Sequence, residues 1–92
     1  MNYYVYLLLS EHNKKKITYV GYTKDLEKRL KLHNNGKGAK FTRGRKWILI
    51  YKKKFSTKSI AIKEEYKLKK NYSKRNLIKK KYLNENIYTS AI

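Results

Sequence analysis

Runs of apolar and β-branched residues at three places along the chain predict β-strands. The first run, Tyr3–Leu9, is almost continuously apolar, which predicts a central strand covered on both faces. The second, Ile17–Thr23, is rich in β-branched and aromatic residues. The third, Trp47–Tyr51, is again apolar on both faces. Because a short polar stretch separates the first two strands, we expect them to form a hairpin.

Two segments between and after these strands have the three-to-four-residue apolar spacing of amphipathic helices. The first, Asp25–His33, begins with an acidic residue and stops at Asn34-Asn35-Gly36, which is a typical helix end. The second begins after Ser56 or Thr57, since either side chain suits an N-cap, and runs to about Lys70.

A third, strongly basic helix is predicted over Ser73–Leu83, with Ser73 as its cap. The 92 residues are enough for one small domain and no more. We therefore expect a single domain over residues 1–83 and a C-terminal tail over residues 84–92.

The centre of the predicted hairpin decides which residues of the first two strands face each other. A centre at His12-Asn13 places Tyr6 directly opposite Tyr19. A centre at Asn13-Lys14 also keeps both tyrosines on one face, whereas a slip by one residue separates them. Cross-strand packing is the ordinary reason for facing tyrosines. Gly21 interrupts the second strand, which indicates a bulge or a place where a ligand approaches the backbone.

The first helix is predicted to turn two polar side chains toward the sheet. Arg29 and His33 lie one helical turn apart, beside the stripe formed by Leu26 and Leu30. A long arginine that reaches solvent and a hydrogen-bonded core histidine are the plain structural interpretation of this pattern.

The second helix is predicted to turn Glu64 and Glu65 toward its apolar side. Carboxylates in such a position need a cation, a hydrogen-bond donor or a metal ion as partner. The apolar arc itself consists of Ile60, Ala61, Ile62 and Leu68.

The composition is dominated by positive charge. The chain has 25 Lys and Arg against 6 Asp and Glu, a formal net charge of +19, which is typical of a protein that binds a polyanion. Codon bias in an AT-rich genome would also raise the lysine count and leave a merely solvated basic surface. Binding to an anionic membrane surface is a third interpretation of the charge.

The absence of cysteine excludes disulfides and cysteine zinc sites and favours a cytoplasmic protein. No apolar run approaches the roughly 20 residues of a membrane span.

The segment 36–46, between the first helix and the third strand, combines three glycines and five cations with the aromatic Phe41. Its spacing does not match a P-loop. A flexible basic loop with an exposed aromatic residue suits phosphate contacts and base stacking, although a solvated connector would have the same composition. The candidate nucleic-acid-binding residues are Lys37, Lys40, Arg43 and Arg45.

Five features in order along the chain resemble the GIY-YIG nuclease domain. These features are Tyr4-Val5-Tyr6, Tyr19-Val20-Gly21, Arg29, His33 and Glu65. The loop Gly36-Lys37-Gly38-Ala39-Lys40 with Thr42-Arg43-Gly44, and the step Glu65-Tyr66, are similar to small stand-alone bacterial members of that family. The resemblance covers the chain from Tyr3 to about Leu83.

The resemblance implies an α+β fold (α/β two-layer): a three-stranded antiparallel sheet flanked by helices in the order β-β-α-β-α-α. It further implies an endonuclease that hydrolyses phosphodiester bonds with one divalent ion, Mg²⁺ or Mn²⁺. Nucleic acid would be the partner, DNA rather than RNA, in repair, recombination or processing.

The resemblance also implies roles for individual residues. Glu65 would hold the metal ion, and Arg29 would neutralise the scissile phosphate. Tyr6 and Tyr19 would orient or activate the water, and His33 would assist proton transfer. These roles fit phosphodiester hydrolysis, which needs positioning, charge stabilisation and a base.

Two further matches to the family concern backbone access and the last helix. Gly21 would let the substrate approach the backbone. Many members carry an asparagine after the glutamate helix, for which Asn76 is the preferred candidate and Asn71 the alternative. Two other functions remain open at this point: a nucleic-acid-binding module on the same scaffold without useful turnover, and an adaptor that binds an acidic protein.

Overall fold

The computed structural model describes residues 2–91, with side chains described through residue 85. In chain order the elements are β1 (Tyr3–His12), β2 (Lys15–Thr23), α1 (Leu26–Asn34), β3 (Ile48–Phe55), α2 (Lys58–Lys70) and α3 (Tyr72–Ala91). The predicted β-β-α-β-α-α order and the α+β class are confirmed. Among the described helices, none is long and apolar enough to cross a membrane.

The sheet is antiparallel with the strand order β2-β1-β3, so β1 is the central strand, as its apolar run predicts. Residues 5–10 of β1 are all buried. A central strand needs apolar side chains on both faces because each face is covered.

Helices cover both faces of the sheet. On one face, Val5 and Leu7 pack with Ala61 and Leu68 of α2. On the other, the cluster around Tyr6, Leu8 and Trp47 contacts the leucines of α1. The sheet is therefore flanked by helices, as predicted.

The β1–β2 hairpin turns at Asn13-Lys14. Both residues have positive φ, 51° and 66°, as a two-residue type I′ turn requires. Tyr6 consequently pairs with Gly21, and Tyr19 pairs with Leu8. The centre at His12-Asn13 was wrong and the alternative centre was right, so Tyr6 and Tyr19 share a face without being direct partners.

Side-chain caps start the three helices. Asp25 accepts a hydrogen bond from the Lys28 amide at 3.1 Å, and Thr57 accepts one from the Ile60 amide at 3.2 Å. At α3 the predicted cap, Ser73, was wrong. The Asn71 side chain accepts from the Lys74 amide at 3.0 Å, because α3 begins one residue earlier than predicted.

The backbone of α3 continues to Ala91, past the predicted end at Leu83 and into the predicted tail.

The buried face of α2 is narrower than its sequence suggested. Ala61 is fully buried and Leu68 nearly so, whereas Ile60 and Ile62 are 44% and 43% exposed. On a helix, residues adjacent in sequence lie about 100° apart, so Ile60 and Ile62 flank Ala61 on opposite sides and cannot both pack against the sheet.

Candidate active site

A cleft of about 340 Å³ opens at the edge strand β2, with contributions from elements on both faces of the sheet. Three cationic side chains and one carboxylate are among the residues that line it. Its lining consists of Tyr3, Tyr6, Tyr19, Gly21, Tyr22, Thr23, Lys24, Arg29, Lys58 and Glu65. The excess of positive charge suits an anionic ligand.

A chain of hydrogen bonds leads from this cleft into the interior. The Tyr6 hydroxyl lies 2.8 Å from His33 Nε2, and His33 Nδ1 lies 2.9 Å from Thr42 Oγ1. The Thr42 hydroxyl donates to the Ala39 carbonyl at 3.0 Å. His33 and Thr42 are both 0% exposed, and of the three residues only Tyr6 is among those that line the cleft.

The tautomer of His33 follows from these contacts. Because Thr42 uses its one hydroxyl proton on the Ala39 carbonyl, its oxygen accepts from His33 Nδ1–H. His33 Nε2 then carries a lone pair and accepts from the Tyr6 hydroxyl. In its neutral form the imidazole therefore holds the proton on Nδ1 and accepts the Tyr6 hydrogen bond at Nε2.

Burial and a neighbouring charge set the proton affinities of this pair. Burial lowers the pKa of His33, and the positive charge of Arg29 lowers it further, so the imidazole stays neutral at pH 7. Burial raises the pKa of Tyr6, while Arg29 opposes that rise. Arg29 thus disfavours an imidazolium and favours a phenolate.

Two glycines leave room for the Tyr6–His33 pair. A Cβ at Gly21 would collide with Oη and Cζ of Tyr6, its partner across the β1–β2 ladder. A Cβ at Gly38 would collide with Nδ1 of His33. The close approach to the Gly21 backbone is made by the Tyr6 ring, whereas the sequence suggested an approach by a ligand.

The remaining ring contacts keep Tyr19 at the mouth of the cleft. Its ring packs edge-on against His33, with centroids 5.1 Å apart, and stacks on Phe41 at 5.9 Å. Trp47 lies edge-on at 6.2 Å. Tyr19 therefore joins the histidine to the loop before β3.

Arg29 lines the cleft, and one of its donors is buried. Its Nε is buried and has no hydrogen-bond partner in the part of the chain that the structure describes. A buried donor without an acceptor is costly, so this position suits a group that brings oxygen atoms.

The two adjacent glutamates of α2 enter different cavities. Glu65 lines the cleft and its side chain is 15% exposed, whereas the Glu64 side chain is 35% exposed and lines a separate cavity with Val5 and Leu68. Each has a lysine partner on α2: Lys69 lies 3.1 Å from Glu65, and Lys67 lies 3.5 Å from Glu64.

The sequence model of the GIY-YIG catalytic domain matches residues 2–82 of the 92-residue chain. The chain belongs to the GIY-YIG family. This is a nuclease family. The UPF0213 protein CPE1444 of Clostridium perfringens is 44% identical over 92 residues, covering 97% of this chain and 96% of that protein.

Other GIY-YIG relatives share the UPF0213 name. UPF0213 protein RBAM_000440 of Bacillus velezensis is 42% identical over 85 residues, covering 91% of this chain and 80% of that protein. The solution NMR structure of UPF0213 protein BH0048 from Bacillus halodurans is 39% identical, with a TM-score of 0.46, and covers 85% of this chain and 82% of that one. These names state no activity.

The donor set of the GIY-YIG cleft fits a loosely held divalent ion. In residues 2–85, where side chains are described, no group of three or more His, Cys, Asp or Glu lies together, and Glu65 is the one carboxylate among the residues that line the cleft. Mg²⁺ commonly uses one or two carboxylates and takes its other ligands from water and phosphate. The residues present therefore fit one Mg²⁺ or Mn²⁺ at Glu65.

Of the sequence-predicted GIY-YIG site residues, five line the cleft and one lies behind it. Tyr6, Tyr19, Gly21, Arg29 and Glu65 line it. His33 is reached through Tyr6.

The other candidates lie elsewhere. Asn76 lines a separate small cavity with Thr18 and Tyr72, and Asn71 caps α3. Lys37, Lys40 and Arg43 are exposed on the loop between α1 and β3, whereas Arg45 is half-buried and its Nη1 is buried.

Sequence reasoning missed several GIY-YIG site residues. Lys24 and Lys58 line the cleft from the end of β2 and the start of α2, where one lysine among many gives no sequence signal. Thr42, which fixes the His33 tautomer, lies in the Thr42-Arg43-Gly44 match to the family, and that match was its only signal. The Asn34 side chain makes two hydrogen bonds to the Trp47 backbone. Its Oδ1 accepts from the Trp47 amide at 2.6 Å, and its Nδ2 donates to the Trp47 carbonyl at 3.1 Å.

Proposed function

We propose that this protein is an endonuclease that hydrolyses phosphodiester bonds of nucleic acid in the cleft at β2. The observation that carries the proposal is the hydrogen bond from Tyr6 to a neutral, buried His33, beside Arg29 and Glu65 in one cleft. Phosphodiester hydrolysis needs a positioned base and stabilisation of developing negative charge. The arrangement supplies both.

The cations of the cleft bind and neutralise the phosphate. Arg29 lines the cleft, and a guanidinium binds phosphate oxygens with charge-assisted hydrogen bonds. Lys24 and Lys58 add charge on the exposed side of the cleft. These groups lower the energy of the transition state because they are already oriented toward the negative charge that develops on the phosphoryl oxygens.

Tyr6 and His33 move the proton. As water attacks phosphorus, one proton of the water passes to the Tyr6 hydroxyl, the proton of that hydroxyl passes to His33 Nε2, and the bond from phosphorus to the leaving sugar oxygen breaks. The leaving oxygen takes a proton from solvent, and His33 afterwards returns its proton to solvent through Tyr6. The lowered pKa of His33 keeps the imidazole free to accept. Tyr19 packs against the same imidazole and lines the same cleft, so it orients the histidine and the water. A divalent ion at Glu65 would stabilise charge on the phosphate.

One observation favours a second candidate function, a nucleic-acid-binding module without useful turnover. Lys69 already neutralises Glu65, with Nζ 3.1 Å from Oε1. Metal binding would have to compete with this ion pair, in which the Glu65 side chain is 15% exposed and the Lys69 side chain 50% exposed.

Incubation of the purified protein with single-stranded, duplex, flapped and branched DNA, and with RNA, tests the proposal. We expect strand cleavage with Mg²⁺ or Mn²⁺ and none in EDTA. DNA is the expected substrate, in repair, recombination or processing. If every polymer is bound and none is cut with either ion, the proposal is overturned and the binding module becomes the function.

A further inference from the structure

A second groove, of about 320 Å³, adjoins the cleft on the far side of Tyr19. Tyr19 lines both spaces, so the two lie next to each other. The other side chains that matter in the groove are Phe41, Lys69 and Arg75. A strand that leaves the cleft past Tyr19 would enter this groove.

Phe41 is an exposed aromatic ring held in a fixed position. The residue is 60% exposed, and its ring stacks on Tyr19 with centroids 5.9 Å apart and planes at 22°. The next residue, Thr42, is tied to Ala39, His33 and Trp47 by hydrogen bonds of 3.0, 2.9 and 2.9 Å. Burying a Phe side chain stabilises a fold, so a fixed loop that leaves this ring exposed loses that stabilisation.

Cations line the same groove. Arg75 is fixed by hydrogen bonds from its Nε and Nη2 to the carbonyls of Leu68 and Lys69, both at 3.1 Å. Lys69 also lines the groove, with a half-exposed side chain whose Nζ lies 3.1 Å from Oε1 of Glu65. An aromatic face bordered by fixed positive charge matches a nucleotide, which has a flat base and an anionic phosphate.

We propose that Phe41, stacked on Tyr19, is a platform for one unpaired base of the nucleic acid whose phosphate enters the cleft, while Lys69 and Arg75 contact the adjoining phosphate. This inference rests on the proposed function for the position of the phosphate. In a duplex the faces of each base are covered by its neighbours, so only an unpaired nucleotide can present a face to Phe41. The preferred ligand is therefore a single-stranded segment or a junction with unpaired nucleotides.

Binding measurements without metal test the platform independently of cleavage. Fluorescence anisotropy in EDTA compares wild type with Phe41→Leu, Phe41→Trp and Tyr66→Leu on single-stranded DNA, single-stranded RNA and duplex DNA. Tyr66 is the matched control because it is also an aromatic residue that is 60% exposed. A single 2-aminopurine in the oligonucleotide reports stacking directly.

We expect Phe41→Leu to weaken single-strand binding by roughly 5- to 100-fold, with duplex affinity almost unchanged and loss of 2-aminopurine quenching. Phe41→Trp should restore both signals, and Tyr66→Leu should change neither. The comparison of single-stranded DNA with single-stranded RNA shows which sugar the groove accepts. Equal losses on single strands and duplex, or no loss on either, would overturn the platform.

The platform and the proposed hydrolysis fail in different ways. If Phe41→Leu loses single-strand binding while wild type cleaves nothing, the platform stands and the nuclease proposal fails. If wild type cleaves and Phe41→Leu binds and cleaves single strands as well as wild type does, the nuclease proposal stands and the platform fails.

Discussion

Individual residues fix the chain of hydrogen bonds from Tyr6 through His33 to Thr42. Gly21 and Gly38 are small because Tyr6 and His33 occupy the space that a side chain would take. Thr42 then determines which nitrogen of His33 carries the proton. In the proposed mechanism, proton transfer from Tyr6 to His33 thus depends on a threonine that does not line the cleft.

The lowered pKa of His33 makes stability depend on pH. Below the ordinary histidine pKa of about 6.5, the unfolded chain binds a proton at this residue that the folded chain does not, so stability falls as pH falls. We expect the melting temperature of wild type to drop from pH 7.5 to pH 5.5 more than that of His33→Gln. His12 is present in both proteins, so its contribution cancels. Parallel melting curves across this pH range would contradict the account.

Sequence reasoning could place Arg29 and His33 but not their contacts. The helical period alone predicts that both residues face the sheet. In the structure His33 is buried and Arg29 lines the cleft. The bond between Tyr6 and His33 depends on the hairpin register, which is set by Lys14 in a left-handed conformation. A lysine gives no sequence signal for positive φ, because it rarely adopts one.

At the scale of elements, α2 separates the two adjacent glutamates. Ala61 and Leu68 face the sheet, and residues 64 and 65 lie on opposite sides of that line at about 100° per residue. One glutamate therefore enters the cleft and the other a different cavity. The helical period could show that both were near the apolar side, but the centre of the buried face was needed to separate them.

The start of α3 offers a direct test of its cap. Asn71→Ala should lower the free energy of unfolding by about 1 kcal/mol, because the Lys74 amide loses its acceptor. Ser73→Ala, the change at the cap that the sequence suggested, should have almost no effect. Urea unfolding of both variants measures the difference. A larger loss for Ser73→Ala would mean that the helix starts later than the structure shows.

At the scale of the whole molecule, the formal net charge of +19 should control nucleic-acid binding. We expect the logarithm of duplex affinity to fall linearly with the logarithm of salt concentration. Removing Lys37, Lys40 or Arg43 should flatten the slope by about 0.9 for each phosphate that the variant no longer neutralises.

Arg45 is unsuitable for this test because part of its guanidinium is buried. Lys63→Ala, on the exposed side of α2, is the control and should leave the slope unchanged. Salt-independent binding would refute a polyanion ligand.

Cleavage rates of Glu65→Gln and Glu64→Gln test the central claim, that the cleft at β2 is the site of hydrolysis. The two changes are matched: each removes one charge and one lysine partner from the same helix. We predict that Glu65→Gln loses turnover by orders of magnitude and binds nucleic acid as well as or slightly better than wild type, whereas Glu64→Gln keeps most activity. A cleavage-dead Glu64→Gln beside an active Glu65→Gln would contradict the account.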